Sequence, residues 1–141
     1  MGSDEVHQKP GGGVRELRLV VTAQDYDAAV AFYRDTLGLP EREAYSSEDG
    51  RVVILDAGRA TLEIADPAQA DFIDRVEVGR RVAGHLRVAF EVPDAAATTS
   101  RLEAAGAQVV APPTPTPWRS LNARLEAPGD LHITLFQELD P

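Results

Sequence analysis

The chain has 141 residues, 43% hydrophobic and 26% charged, as suits one globular domain or two small modules sharing a core. Acidic residues outnumber basic ones 23 to 14, a formal charge of −9. That charge repels phosphate backbones and anionic lipid, so neither nucleic acid nor a membrane surface is an expected partner. Cysteine is absent, which removes disulfides, thiol nucleophiles and thiolate metal sites together. No apolar run approaches the roughly 20 residues of a membrane span, and the cytoplasm is the expected location.

Residues 1–13, MGSDEVHQKPGGG, carry no apolar signal core and read as a disordered tail, with His7 discounted along with it. A strand, LRLVVTA, opens the ordered part and ends at Asp25, an N-cap for a helix over YDAAVAFYRDTLG that Gly38 closes. The spacing of Val30, Phe32, Tyr33 and Leu37 puts Phe32 and Tyr33 in the core. Strand-rich sequence follows to Ala65, with a hairpin turn at Glu48 and Asp49 before Gly50. DPAQADFIDRVEVGRRV (66–82) has broken periodicity and many charges, and reads as a linker with some helical content.

The pattern then repeats. Leu86, Arg87 and Asp94 follow Leu17, Arg18 and Asp25 at a constant offset of 69, and LEAPGDLHITLF overlays LDAGRATLEIA with Glu63 falling on Thr134. A second helix runs from Asp94 to Gly106, and APPTPTPW (111–118) reads as a stiff extended loop because of its four prolines. The expected organisation is an α+β domain over 14–141, with module 14–65, linker 66–82 and module 83–139. Each module is strand, helix and three strands. Period-two alternation sends Leu17, Leu19, Val21, Leu86, Val88, Phe90 and Val92 under the helices. Arg18, Glu63, Arg87 and Thr134 fall on the opposite face, which would line a cavity if the sheet curls.

Paired strand–helix–three-strand modules, the FYRDTLGL helix end and the final APGDLHITLF strand resemble the vicinal oxygen chelate superfamily. That superfamily includes glyoxalase I, extradiol dioxygenases, fosfomycin-resistance transferases and bleomycin-binding proteins. The resemblance implies cup-shaped mixed sheets, pockets inside a cup or between subunits, and a homodimer. Metal-dependent members place ligands on the first and last strands of each module. The matching positions here are Arg18 (or Glu16, with a two-residue insertion), Glu63, Arg87 and Thr134, and only Glu63 keeps the expected type. A divalent cation needs lone pairs, and guanidinium has none to give. No metal or other cofactor is therefore expected, with a divalent metal as the less favoured alternative.

His85 and His132 share the cavity-facing parity. If the first and last strands of a module run antiparallel, as the resemblance suggests, the two imidazoles end about 13 Å apart along the strands and cannot share an ion. His85 is then a bystander or part of the pocket wall. A general-base role stays open, because free imidazole titrates near neutrality. Arg18 and Glu63 make either a simple ion pair or a ligand clamp, in which Arg18 or Arg87 holds a carboxylate, phenolate or carbonyl. Trp118 and Tyr45 offer aromatic walls, with core or interface roles equally open, and Phe136 shares the parity of Thr134.

Two functions follow from the resemblance. The first is metal-independent binding of an aromatic or amphipathic metabolite or antibiotic, with sequestration-based resistance as its use. The alternative is a metal-dependent lyase, isomerase or dioxygenase built around Glu16, Glu63 and His85. Turnover itself is left open by the residues.

Overall fold

The computed structural model describes residues 13–128 and 130–139, so the expected tail up to residue 12 with His7, and Gly129, lie outside the described residues. Elements run β1 (Glu16–Thr22), α1 (Tyr26–Val30, continued by a π-helical turn Ala31–Thr36), β2 (Glu41–Ser47), β3 (Gly50–Ala57) and β4 (Ala60–Ala65). After α2 (Pro67–Glu77) come β5 (Leu86–Glu91), α3 (Ala95–Ala104), β6 (Gln108–Pro115), β7 (Ser120–Ala127) and β8 (Leu131–Glu138). The eight strands form one mixed sheet in the order β2-β3-β4-β1-β5-β8-β7-β6, an α+β architecture. No described helix is long and apolar enough to cross a membrane.

Local chemistry sets the helix ends. The Asp25 and Asp94 carboxylates accept from Ala28 N at 3.0 Å and Ala97 N at 2.9 Å, and Gly38 and Gly106 close the helices at positive φ. One core cluster lies under α1, built from Val30, Val53, Leu55 and Ile64. The other lies under α3, built from Val92, Ala95, Ala123, Leu125, Ile133 and Leu135. Leu55 and Leu125 are fully buried, so truncating either to alanine costs about 2–5 kcal/mol.

Four expectations are corrected. Leu17, Leu19 and Leu86 remain exposed, at 40%, 36% and 49%, because α1 and α3 sit over the flanking strands and leave the central β1–β5 pair bare. Phe32 and Leu37 are also exposed, since the π turn, marked by Leu37 N donating to Phe32 O, shifts the face that α1 presents; Tyr33 does pack against the core. Residues 108–115 pair as a strand despite their prolines. β6 is an edge strand with register shifts at Val109/Ala111 and Ala111/Thr114, the setting in which proline is tolerated.

Pairing direction is the fourth correction. β1 pairs β4 in parallel, with Val20 opposite Glu63, and β5 pairs β8 in parallel, with Ala89 opposite Thr134. The antiparallel contact is instead β1 with β5, which sets Arg18 opposite Ala89 and Val20 opposite Arg87. Stepping back along β5 and β8 therefore moves both residues the same way, and the 13 Å separation of His85 from His132 does not follow.

The segment between the repeats has the helical content expected of it. α2 is a full helix, capped by Asp66 accepting from Gln69 N at 2.8 Å with Pro67 in its first turn. It lies across the face opposite α1 and α3, the concave one. Gly50 makes its close approach possible: a Cβ there would sit 2.4 Å from Gln69 N. Under α2, β3 offers the buried aliphatic residues Val52 and Ile54.

Candidate functional site

The concave face carries a hollow of about 90 Å³ between the sheet and α2, lined by Arg18, Glu63, Arg87, Ala89, Trp118, Thr134, Phe136 and Glu138 together with Ile73, Glu77, Ser120 and Asn122. Six sequence-derived candidates meet there: Arg18, Glu63, Arg87, Trp118, Thr134 and Phe136. Tyr45, on β2, is 59% exposed and does not line the hollow. His85 is exposed just before β5; its backbone O accepts from Thr22 N, and its side chain stays outside the lining.

The two arginines stand in different surroundings. Arg18 Nε donates to Glu16 Oε2 at 2.7 Å, its Nη1 lies 3.7 Å from Glu63 Oε1, and its guanidinium stacks on Phe136 at 4.8 Å from the ring centroid. Burial pushes the Glu16 carboxyl up, but hydrogen bonds from Arg18, Thr61 and Arg42 outweigh this and hold it below the ordinary carboxylate value. Arg87 instead donates from Nη1 to the Thr134 hydroxyl at 2.9 Å, and makes no ion pair among the described residues. Burial, and then the nearby Arg124 charge, push its guanidinium below its ordinary value. It stays protonated all the same.

Sequence reasoning missed the polar wall between β7 and α2. Arg124 is fully buried, with Nε donating to Glu77 Oε1 at 2.7 Å and Nη2 in ion contact with Asp74 Oδ1 at 2.8 Å. Asp74 Oδ2 also accepts from Val82 N and Ala83 N, each at 2.8 Å. Asn122 Nδ2 donates to Glu77 Oε2 at 2.6 Å, and Ser120 Oγ donates to Asn122 Oδ1 at 2.6 Å. Arg124 Nη1 is a donor only, so His132 Nε2 accepts it at 3.1 Å and its Nδ1–H donates to Glu126 at 2.8 Å. His132 is thereby committed to the wall. Phe72 of α2 packs on Trp118, ring centroids 6.2 Å apart. The available signal was the alternation Ser120, Asn122, Arg124 within RSLNARLE, which demands polar partners from whatever covers that face.

Comparison with known proteins agrees with this fold. A family model described as "Glyoxalase/Bleomycin resistance protein/Dioxygenase superfamily" matches residues 17–135. The chain belongs to that superfamily. Among solved structures, a Streptomyces coelicolor methylmalonyl-CoA epimerase in complex with 2-nitronate-propionyl-CoA is similar at 22% identity and a TM-score of 0.64, over 90% of this chain and 99% of that one. The epimerase from Mycobacterium tuberculosis is similar at 19% identity and 0.62, over 92% and 89%. A superfamily member from Vibrio splendidus gives 12% and 0.64, over 87% and 98%. At these identities the likeness concerns the fold. No curated protein sequence matches the chain.

Metal ions are frequent in the superfamily, which makes the fit of these side chains a question of its own. Glu63 is the one charged oxygen donor among the four positions and already faces Arg18. Arg18 and Arg87 have no lone pair, and Thr134 already accepts from Arg87. Among the described residues no three His, Asp or Glu side chains converge as an ion requires. These residues do not fit a divalent cation.

Proposed function

We propose that this superfamily member is a metal-independent small-molecule binding protein whose concave hollow takes the polar end of an organic ligand. The observation that carries the reading is the pair of guanidiniums at Arg18 and Arg87, where chelating atoms would have to stand. At about 90 Å³ the hollow is well below the roughly 300–1,000 Å³ of drug-sized pockets. It therefore encloses a head group, and the ligand's aromatic or apolar body lies at the mouth beside the exposed Trp118. Sequestration of an aromatic or amphipathic metabolite or antibiotic in the cytoplasm is the use this arrangement supports. The exposed ladder of Leu17, Leu19 and Leu86 on the convex face supports a homodimer. Sedimentation of Leu19→Asp, a monomer beside a dimeric parent, tests that part.

Native mass spectrometry of the gently purified protein tests the binding reading. An organic adduct released on unfolding is the expected result. A protein that carries none, and whose melting temperature is unmoved by a panel of aromatic acids, amines and neutral drugs, would overturn it.

An isomerase that moves a proton is the second reading. Glu138 favours it: this hollow-lining carboxyl has no hydrogen-bond partner among the described residues, and burial, then Glu91, push it above its ordinary value. Turnover abolished by Glu138→Gln with ligand binding intact would establish that reading.

A further inference from the structure

We infer that the hollow recognises a monocarboxylate, held by Arg87 and Thr134 at the place where the other half of the chain carries the Glu63 carboxylate. This rests on the binding reading above and names its ligand class.

The internal repeat supplies the argument. Arg18 and Arg87 are equivalent in sequence, and Glu63 and Thr134 are equivalent in the sheet, standing opposite Val20 and Ala89 in the same parallel register. Glu16, which gives Arg18 its shortest contact, has the exposed His85 as its counterpart, at the same offset of 69. Neither carboxylate that neutralises Arg18 therefore has a carboxylate counterpart around Arg87. Of the acids that attract Arg87 at longer range, Asp74 and Glu77 are engaged by Arg124, and Glu63 faces Arg18. One of the five N–H donors of Arg87 goes to Thr134. Thr134 accepts that bond, and its own proton goes to no described residue.

A planar fork of donors beside a free hydroxyl matches a carboxylate in shape and charge. Binding one would set a negative charge against the Arg124 repulsion that bears on Arg87 and supply its remaining donors with acceptors. Ala89, small and opposite Thr134, leaves the space. Glu63 and Glu138 flank the site and disfavour a second negative charge, so the ligand carries one carboxylate. The net charge of −9 does not forbid this, because distant charges are screened beyond about 8 Å at ordinary salt.

Isothermal titration with benzoate, benzamide and benzylamine at constant ionic strength tests the inference. Saturable benzoate binding, at least about tenfold tighter than either of the others, is expected, and Arg87→Gln should weaken it by a similar factor. Should Arg87→Gln fail to fold, Thr134→Glu restores the missing internal carboxylate and should abolish benzoate binding, while Thr134→Val should weaken it. Benzylamine or benzamide binding as tightly as benzoate would overturn the carboxylate while leaving the binding reading intact. Undiminished benzoate affinity in Thr134→Glu would overturn the site. Failure of all three probes would overturn the inference, and the native mass measurement above would still decide the wider reading.

Discussion

β3 and β7 occupy equivalent places in the two halves, yet they meet the connecting helix with opposite chemistry. Ile54 stands opposite Glu63 in one half, and Arg124 stands opposite Thr134 in the other. The first half packs α2 on aliphatic residues and keeps its cavity arginine, Arg18, locally neutralised. The second half grips α2 through a buried arginine and two buried acids, and leaves its cavity arginine, Arg87, with a hydroxyl alone. A repeat therefore fixes where side chains stand without fixing what they do. Here the first half has closed its cavity arginine in ion pairs, and the second has spent its acids on β7 and left its cavity arginine bonded to a hydroxyl.

The largest effect should come from making β7 resemble β3. Arg124→Met leaves Asp74 and Glu77 buried without their cation and should cost about 3–5 kcal/mol in urea unfolding. Adding Asp74→Asn and Glu77→Gln should recover most of that loss, since removing a whole buried ion cluster is often close to neutral. The same cluster gives an acid limb. Burial raises the Asp74 carboxyl, but the N–H groups of Ala83 and Val82 and the Arg124 charge outweigh it and hold it below its ordinary 3.8. Its stabilisation is thus complete above that value and is lost as pH falls through the lower folded value, a loss Asp74→Asn should remove from the pH profile.

Gly50→Ala attacks the first half's grip on α2. It combines a φ of +140° with a Cβ pressed into the Gln69 backbone, and should cost about 2 kcal/mol. Asp66→Ala, which removes the α2 N-cap, should cost about 1 kcal/mol by the same unfolding measurement. The smallest change is expected from Glu138→Gln at the mouth. The Glu138 carboxyl is pushed above its ordinary 4.5, so its ionisation works against the fold as pH rises. The variant should melt slightly higher than the parent at neutral pH, and the gap should vanish in acid below that value.

The repeat, the caps at Asp25 and Asp94, and the cavity face of Arg18, Glu63, Arg87 and Thr134 were all legible in the sequence. Period-two alternation and N-cap chemistry are local rules, and they leave local marks. Three features were not legible, each for a tertiary reason. The π turn that exposes Phe32 obeys no sequence period. Strand direction around the central pair depends on how two halves dock, which no single strand encodes. The burial of the charged residues on α2 left no local mark, because Asp74 and Glu77 face Arg124, fifty and forty-seven positions away. α2 also lines the hollow through Ile73 and Glu77, which neither composition nor motif could indicate.

Elemental analysis of protein purified without chelator bears most directly on the claim that guanidiniums have displaced chelation in this cup. Divalent metal far below stoichiometry, with a melting temperature unmoved by a strong chelator, is the expected result. A full equivalent of zinc, nickel, manganese or iron, lost on Glu63→Ala, would contradict it.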